Sequence, residues 1–298
     1  MAGVSRASFY RSWEKQAPQE AETALRDAIQ RAVIQHRYYG YRRIQVLIER
    51  EGYRVGAKKV RRLMREDNLL AVRRRKFVAT TGSGHEFKVH PNLAQHLALS
   101  DINQLWVADL TYLRLQGEFV FLAVVLDAWS RRVVGWALGR NLDSSLPLLA
   151  LERAITSRQP QSGLVHHSDQ GSQYACKLYV GRLESIGAVP SMSRAGRPWE
   201  NGKCESFMAT LKREEIDARP YANLEELERH IEEFIDQTYN RVRLHSALAY
   251  FSPEQFEARQ AQQKAAPSWL PAALSFADHE EVSAAPDPAP KPPSGGRP

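Results

Sequence analysis

Apolar residues recur every third or fourth position through the first seventy residues. Beyond residue 105 they alternate or run together, so the chain changes architecture once. From Glu20 to Tyr38 the set Ala24, Leu25, Ala28, Ile29, Ala32 and Val33 keeps helical spacing. Two shorter helices are predicted at Tyr41 to Glu51 and Ala57 to Asp67, joined across Gly52-Tyr53-Arg54-Val55-Gly56. Two short helices across a tight glycine-containing turn are the pattern of a helix-turn-helix. Ahead of them, a short helix is expected at Ser5 to Trp13, with Ser5 as its candidate cap.

Leu105 to Leu115 alternates and is rich in Val, Leu, Thr and Tyr, which predicts a strand. After the turn Gln116-Gly117-Glu118, Phe119 to Leu126 is nearly continuous apolar sequence, the mark of a strand buried on both faces. Ser130-Arg131 turns the chain into a third strand, Val133 to Leu138. A helix at Ser144 to Ser157, a strand at Leu164 to His167, a helix at Tyr174 to Ile186, a strand at Ala188 to Met192 and a helix from Trp199 to Ile216 follow. The order βββαβαβα predicts a mixed α/β sheet with helices on its faces. Leu224 to Tyr239 is a further amphipathic helix, and the pattern decays after Pro253-Glu254-Gln255-Phe256. Residues 261–298 hold eight of the sixteen prolines and are expected to be a disordered tail.

Charge adds a second division. Residues 1–90 carry 20 Lys and Arg against 9 Asp and Glu, a net of +11, whereas the remainder carries 21 against 25, a net of −4. A basic module joined to a mildly acidic body suits a polyanion, and a solvated surface of high pI is the alternative. The second short helix turns Lys58, Lys59, Arg61, Arg62 and Arg65 outward and Val60, Leu63 and Met64 inward. That face fits a major groove or a row of phosphates, as it would fit any basic surface helix. Arg73, Arg74, Arg75 and Lys76 extend the basic run. Residues 77–100, with Gly82, Gly84 and Pro91, read as a linker. The apolar runs are too short to span a bilayer and no signal sequence is evident, so a cytoplasmic protein without membrane contact is expected. Cys176 and Cys204 form no CxxC pair, which disfavours a finger-type zinc site.

Three carboxylates stand out. Asp109 lies inside the first apolar strand, where a charge is costly unless compensated. Asp169 follows the fourth strand, at the end where α/β sheets collect their sites. Glu205 lies on the helix that begins near Trp199. If they converge, hard oxygen ligands of this kind suit Mg²⁺ or Mn²⁺, and two such ions can activate an attacking oxygen and stabilise a leaving one. An isolated Asp at a strand end is more often a turn former or a hydrogen-bonded surface group, so the combination carries the weight. Asp127 is either a polar neighbour of the metals or the cap of the turn at Ser130. His166 and His167 invite a base or ligand role, but two-metal phosphoryl transfer needs no histidine, and packing or contacts supporting Asp169 are favoured.

The motifs around these acids resemble one family. Trp106-Val107-Ala108-Asp109-Leu110-Thr111-Tyr112, His167-Ser168-Asp169-Gln170-Gly171-Ser172-Gln173-Tyr174 and Asn201-Gly202-Lys203-Cys204-Glu205-Ser206-Phe207 are similar to the three acidic motifs of DDE transposases with a retroviral-integrase, ribonuclease H-like core. The 35 residues between Asp169 and Glu205 match that superfamily's spacing. Tyr39-Gly40-Tyr41-Arg42-Arg43-Ile44 and Tyr239-Asn240-Arg241-Val242-Arg243-Leu244-His245-Ser246-Ala247-Leu248 resemble further blocks of the second-frame transposases of insertion-sequence family three. The resemblance covers residues 1–257 and departs in Glu200-Asn201-Gly202, where many members have Asp-Asn-Ala.

The resemblance implies a helix-turn-helix-like DNA-binding region at 1–76, a linker at 77–100, a ribonuclease H-like core at 101–218, a helical extension at 219–260 and the tail at 261–298. It implies DNA cleavage and strand transfer through Asp109, Asp169 and Glu205 with two Mg²⁺ or Mn²⁺ ions. Lys212, two turns beyond Glu205, is implied to contact DNA. The partners implied are double-stranded DNA at the element ends and the target, an upstream-frame protein or its frameshift fusion, and further copies of the chain on DNA. A ribonuclease H-like nuclease that only hydrolyses and a DNA-binding regulator with a degenerate core are the rival readings.

Overall fold

The computed structural model describes residues 20–71 and 87–265. The expected helix at Ser5 to Trp13 and the basic run Arg73, Arg74, Arg75 and Lys76 lie outside them. Three helices come first: α1 (Glu20–Gln35), α2 (Tyr41–Arg50) and α3 (Ala57–Glu66). Gly52 turns α2 towards α3 with φ +93, a conformation glycine adopts without a Cβ penalty. The helices bury one apolar stripe each, meeting in a core that includes Ile29, Ile44, Ile48, Val60, Leu63 and Met64. Arg26 of α1 ties Glu66 and Asp67 at the end of α3. Leu244, far along the chain, completes this core. Around it, Tyr39 Oη accepts from the Leu244 N–H at 2.9 Å, and Arg43 Nε donates to the Leu244 carbonyl at 2.8 Å.

The second half is a five-stranded sheet of β1 (Leu105–Leu115), β2 (Glu118–Asp127), β3 (Val133–Gly139), β4 (Val165–Ser168) and β5 (Val189–Met192), in the order β3-β2-β1-β4-β5. β1, β2 and β3 form an antiparallel meander, while β4 and β5 extend it parallel to β1. This order, with helices on both faces, is the ribonuclease H-like arrangement of a mixed sheet. β2 is buried from Val120 onwards except for the half-buried Phe121, but Phe119 stands in solvent, so the expectation of two covered faces holds only past its first turn of chain. One face packs on α4 (Ser145–Arg158), α5 (Ser172–Ala175) and α6 (Lys177–Ser185) through Trp106, Ala108, Ala123, Leu151 and Tyr179. The other packs on α7 (Gly202–Glu214) and α8 (Leu224–Glu233) through Val107, Leu113, Val124, Phe207 and Ile231.

Several elements differ from the periodicity-based expectation. The helix expected over 174–186 is two pieces, because Cys176 is extended (φ −67, ψ 149) and its thiol turns back to the Gln173 carbonyl. The helix from Trp199 begins as a tight 3₁₀ turn at Pro198–Asn201. α8 widens into a π-helical turn at Phe234–Tyr239, which seats Phe234, Ile235 and Tyr239 in the core. The last helix, α9 (Pro253–Ala265), runs into the range expected as tail. Residues 87–100, expected as linker, lie against the core: Asn92 Nδ2 donates to Glu200 at 2.8 Å and the Leu93 N–H to Ser191 Oγ at 2.9 Å. Among the described residues no helix is long and apolar enough to cross a membrane.

The outer edge of β3 is capped at its first residue by a side chain. Asn240 Oδ1 accepts from the Val133 N–H and its Nδ2 donates to the Val133 carbonyl, both at 3.0 Å, as a neighbouring strand would. Both groups are buried, so Asn240→Ala leaves a donor and an acceptor without partners and is expected to cost about 3 kcal/mol. Urea unfolding at unchanged slope reads this directly, and a loss below about 1 kcal/mol would deny the clamp its role.

Candidate active site

The site forms where two strands part. β1 and β4 run parallel in register from Leu105 opposite Val165 to Val107 opposite His167, and there the pairing stops. Asp109 lies two residues past the last pair on β1, and Asp169 two residues past it on the β4 side. The backbone released by this parting is caught by α7. Asn201 Nδ2 donates to the Ala108 carbonyl at 2.8 Å, and Cys204 packs buried against Val107. Those contacts set the start of α7 against β1 and carry Glu205 to the same mouth. Asn201 and Cys204 were visible in the third motif, but only the missing strand partner of Ala108 gives Asn201 its positioning task.

Electrostatics confirm that the carboxylates are neighbours. Burial pushes the Asp109 carboxyl up to about 7, with Asp169 and then Glu205 adding repulsion. The Leu110 N–H and Lys212 oppose the rise. Asp109 keeps only part of its surface in contact with solvent, and Glu205 is exposed at the rim. Asp169 Oδ1 accepts from the Gly171 N–H at 2.9 Å. A Cβ at position 171 would stand 2.9 Å from that same oxygen, so glycine permits the carboxylate its place. Lys212, half-buried, donates to Thr111 Oγ1 at 2.6 Å and lies 5.0 Å from the Tyr112 ring centre, on the strand that holds Asp109. Burial pulls its ammonium down and Asp109 pulls it back up.

Three neighbouring carboxylates are hard oxygen donors of the kind that suit Mg²⁺ or Mn²⁺, and the part of the Asp109 rise that comes from Asp169 and Glu205 is repulsion a divalent cation would relieve. In chemistry the residues suit such a cation. Among the described residues, however, no three His, Cys, Asp or Glu side chains are closed to ligating geometry.

Neighbouring candidates take structural roles. Asp127 is fully buried and accepts from the N–H groups of Asn103 (2.7 Å), Trp129 (2.9 Å) and Ser130 (3.0 Å), which makes it the cap of the β2–β3 turn. His166 pairs with the Tyr179 hydroxyl at 3.1 Å and His167 with Ser191 Oγ at 2.8 Å. Burial holds their imidazoles down at about 3 and about 4, so both are neutral near pH 7. The basic residues of α3 are exposed and stand apart from the carboxylates, on the N-terminal helices. Two of them are engaged: Arg62 bonds Glu66 at 2.8 Å and Glu22 at 3.3 Å, and Lys59 lies 3.6 Å from Glu22. Lys58, Arg61 and Arg65, at i, i+3 and i+7, form the outer basic stripe.

A ribonuclease H-like sheet with acids at the β1–β4 parting and on the following helix defines an integrase-type core. The integrase core domain family matches residues 100–198, a second integrase core model matches 187–253, and an HTH-like domain matches 20–77. The chain is 38% identical to the uncharacterised 31 kDa protein of insertion element IS600 from Shigella sonnei, over 88% of its own length and 98% of that protein's. It is 34% identical to transposase InsF of insertion sequence IS3A from Escherichia coli, over 74% of this chain and 76% of that one. The chain belongs to the insertion-sequence transposases of family three, with an integrase core and an HTH-like domain. The HTLV-2 integrase catalytic core, solved with magnesium, aligns over 53% of this chain and 97% of that one, at 19% identity and a TM-score of 0.42, a likeness too slight to bear on function.

Proposed function

We propose that this transposase cuts a DNA strand at the end of its insertion sequence and joins the freed 3′ hydroxyl to a second phosphodiester. Asp109, Asp169 and Glu205 would hold two Mg²⁺ or Mn²⁺ ions, which when bound supply Lewis-acid stabilisation of the attacking and leaving oxygens. The observation that carries this reading is the parting of β1 from β4 at the point where α7 brings Glu205, with Asp109 raised to about 7 by burial first and then by Asp169 and Glu205. Lys212 would hold a strand phosphate beside Asp109, while Lys58, Arg61 and Arg65 on α3 would take phosphates of flanking duplex, with Lys59 and Arg62 at its acid-paired side. Arg73, Arg74 and Arg75 would extend that track. His166 and His167 transfer no proton in this scheme, since burial holds both neutral. The protein would act in the cytoplasm, as several copies on paired DNA ends, with the upstream-frame product or its fusion supplying end recognition.

A labelled duplex bearing the element's terminal repeats, incubated with Mg²⁺ or Mn²⁺, tests the proposal. Cleaved and joined products are expected from the wild type, fused to the upstream frame where the chain alone is inert, and a loss of about 10³-fold or more from Glu205→Gln. Cleavage without any joined product would point to a plain nuclease. Undiminished products from Glu205→Gln would sink the assignment.

A further inference from the structure

A cavity of about 240 Å³ lies between α2, the β2–β3 turn, α7 and the segment Tyr239–Ala247. That is room for one phosphate group and a few waters, each of which occupies roughly 30 Å³. Arg43, Arg131, Arg213 and Arg243 line it, and no Asp or Glu does. Just outside, Glu214 accepts from Arg243 at 2.9 and 2.8 Å and from Arg213 at 2.6 Å, so one carboxylate answers two guanidiniums. Arg43 Nε donates to the Leu244 carbonyl and its guanidinium lies 5.3 Å from the Tyr39 ring centre, and burial followed by Arg243 pulls that guanidinium down. Arg131 is held at φ +60, a left-handed conformation that costs a non-glycine residue about 1 kcal/mol and that clusters at ligand clamps.

The cavity also contains an unanswered group. His245 is 6% exposed, and its Nε2 is buried without a hydrogen-bond partner. Burial, then Arg243, Arg43 and Arg131, hold its imidazole down at about 3. Guanidiniums around an imidazole whose Nε2 alone lacks a partner, with the hydroxyls of Ser206 and Thr210 also lining the cavity, suit an oxyanion.

We propose that this cavity binds one backbone phosphate of DNA, gripped by Arg43, Arg131 and Arg243, with His245 Nε2 and the hydroxyls of Ser206 and Thr210 completing its shell. DNA is the favoured source because Ser206 follows Glu205 on α7. A phosphate seated there fixes a strand relative to the helix that carries the third acid, and relative to the basic N-terminal helices through Arg43. The proposal rests on the reading of the chain as a DNA-acting transposase, but not on the metal-binding triad. The phosphate's charge would raise the imidazole's affinity for a proton exchanged with the buffered solvent, so that Nε2 could donate.

The test uses the full chain with ¹⁵N-labelled histidine and no divalent metal, so no cleavage occurs. The His245 ring signal is assigned by its loss in His245→Gln. Inorganic phosphate is expected to move Nε2 from the range of a bare nitrogen to that of a protonated one, and a short duplex to move it the same way. Arg131→Gln should abolish both responses. By anisotropy, Arg131→Gln should weaken duplex binding and flatten the slope of log affinity against log salt by about 0.9, the share of one phosphate. No response of His245 to either probe overturns the proposal. A response to phosphate alone, with duplex bound elsewhere, overturns the DNA assignment and leaves a small-anion site. Duplex that does not bind at all sinks the DNA reading beneath it, independently of the cavity.

Discussion

Asp109→Asn is expected to lower metal-dependent strand cleavage by about 10³-fold or more and, in the same protein, to raise stability when metal is withheld. The two effects have one cause. Burial, Asp169 and Glu205 lift the Asp109 carboxyl from 3.8 to about 7. Below pH 3.8 the group is protonated whether the chain is folded or unfolded, and it costs nothing. As pH rises the unfolded chain releases its proton first, so folding weakens, and the loss levels off above about 7. The full shift corresponds to at most about 4 kcal/mol, and solvent at the open side of the site reduces this to about 2 kcal/mol. Asparagine escapes that penalty. In EDTA the variant should therefore match the wild type near pH 4 and exceed it at pH 8. Mg²⁺ or Mn²⁺ should raise the wild-type Tm, because a ligand of the folded state alone stabilises it, and should do little for the variant. A variant less stable than wild type at pH 8 without metal, or one that still cuts DNA, would remove Asp109 from the centre of the site.

The largest expected effect on folding comes from Gly135→Ala. Gly135 sits in β3 directly under α4, and a Cβ there would stand 2.2 Å from the Ala150 carbonyl oxygen, 2.6 Å from the Ala154 nitrogen and 2.8 Å from Ala154 Cβ. Two of those atoms are helix backbone, which cannot swing aside as a long side chain would. α4 must lift from the sheet, and the contacts of Ala150, Leu151 and Ala154 with that face go with it. Overpacking against a rigid neighbour costs about 3 kcal/mol or more, a large part of a domain's usual stability. The expected result is a chain that is mostly insoluble on expression, with a strongly lowered denaturant midpoint in what remains. A midpoint within error of wild type would mean that α4 does not approach β3 as closely as described.

Strands and helices were legible wherever one face alone is buried, because burial writes period two or period 3.6 into the chain. α3, with Val60, Leu63 and Met64 inward, is of that kind, and so is the end of β1, where Leu113 and Leu115 are buried and Tyr112 and Arg114 exposed. The acidic residues were legible as motifs, and Asp109 also as a charge inside an apolar strand. Breaks within helices left no such trace. Cys176 and the π-helical turn interrupt the backbone without interrupting the apolar spacing, so periodicity runs straight across them. Residues 87–100 looked structureless because their order comes from Ser191 and Glu200, about a hundred positions away. The cavity was equally hidden: Arg43, Arg131, Arg243 and His245 come from three distant stretches, and each alone reads as an ordinary polar residue.

The closure of the N-terminal helices by Leu244 has a consequence for the order in which the protein is made. Arg43 and Leu244 are 201 positions apart, so a ribosome adding 5–20 residues per second leaves about 10–40 s between them. For most of that interval α1, α2 and α3 have been made while the side chain that completes their core and the carbonyl that receives Arg43 do not yet exist. Helices made early are thus among the last to be finished. A message cut short before codon 244 yields helices that lack the partner sealing their core, a natural target for a protease.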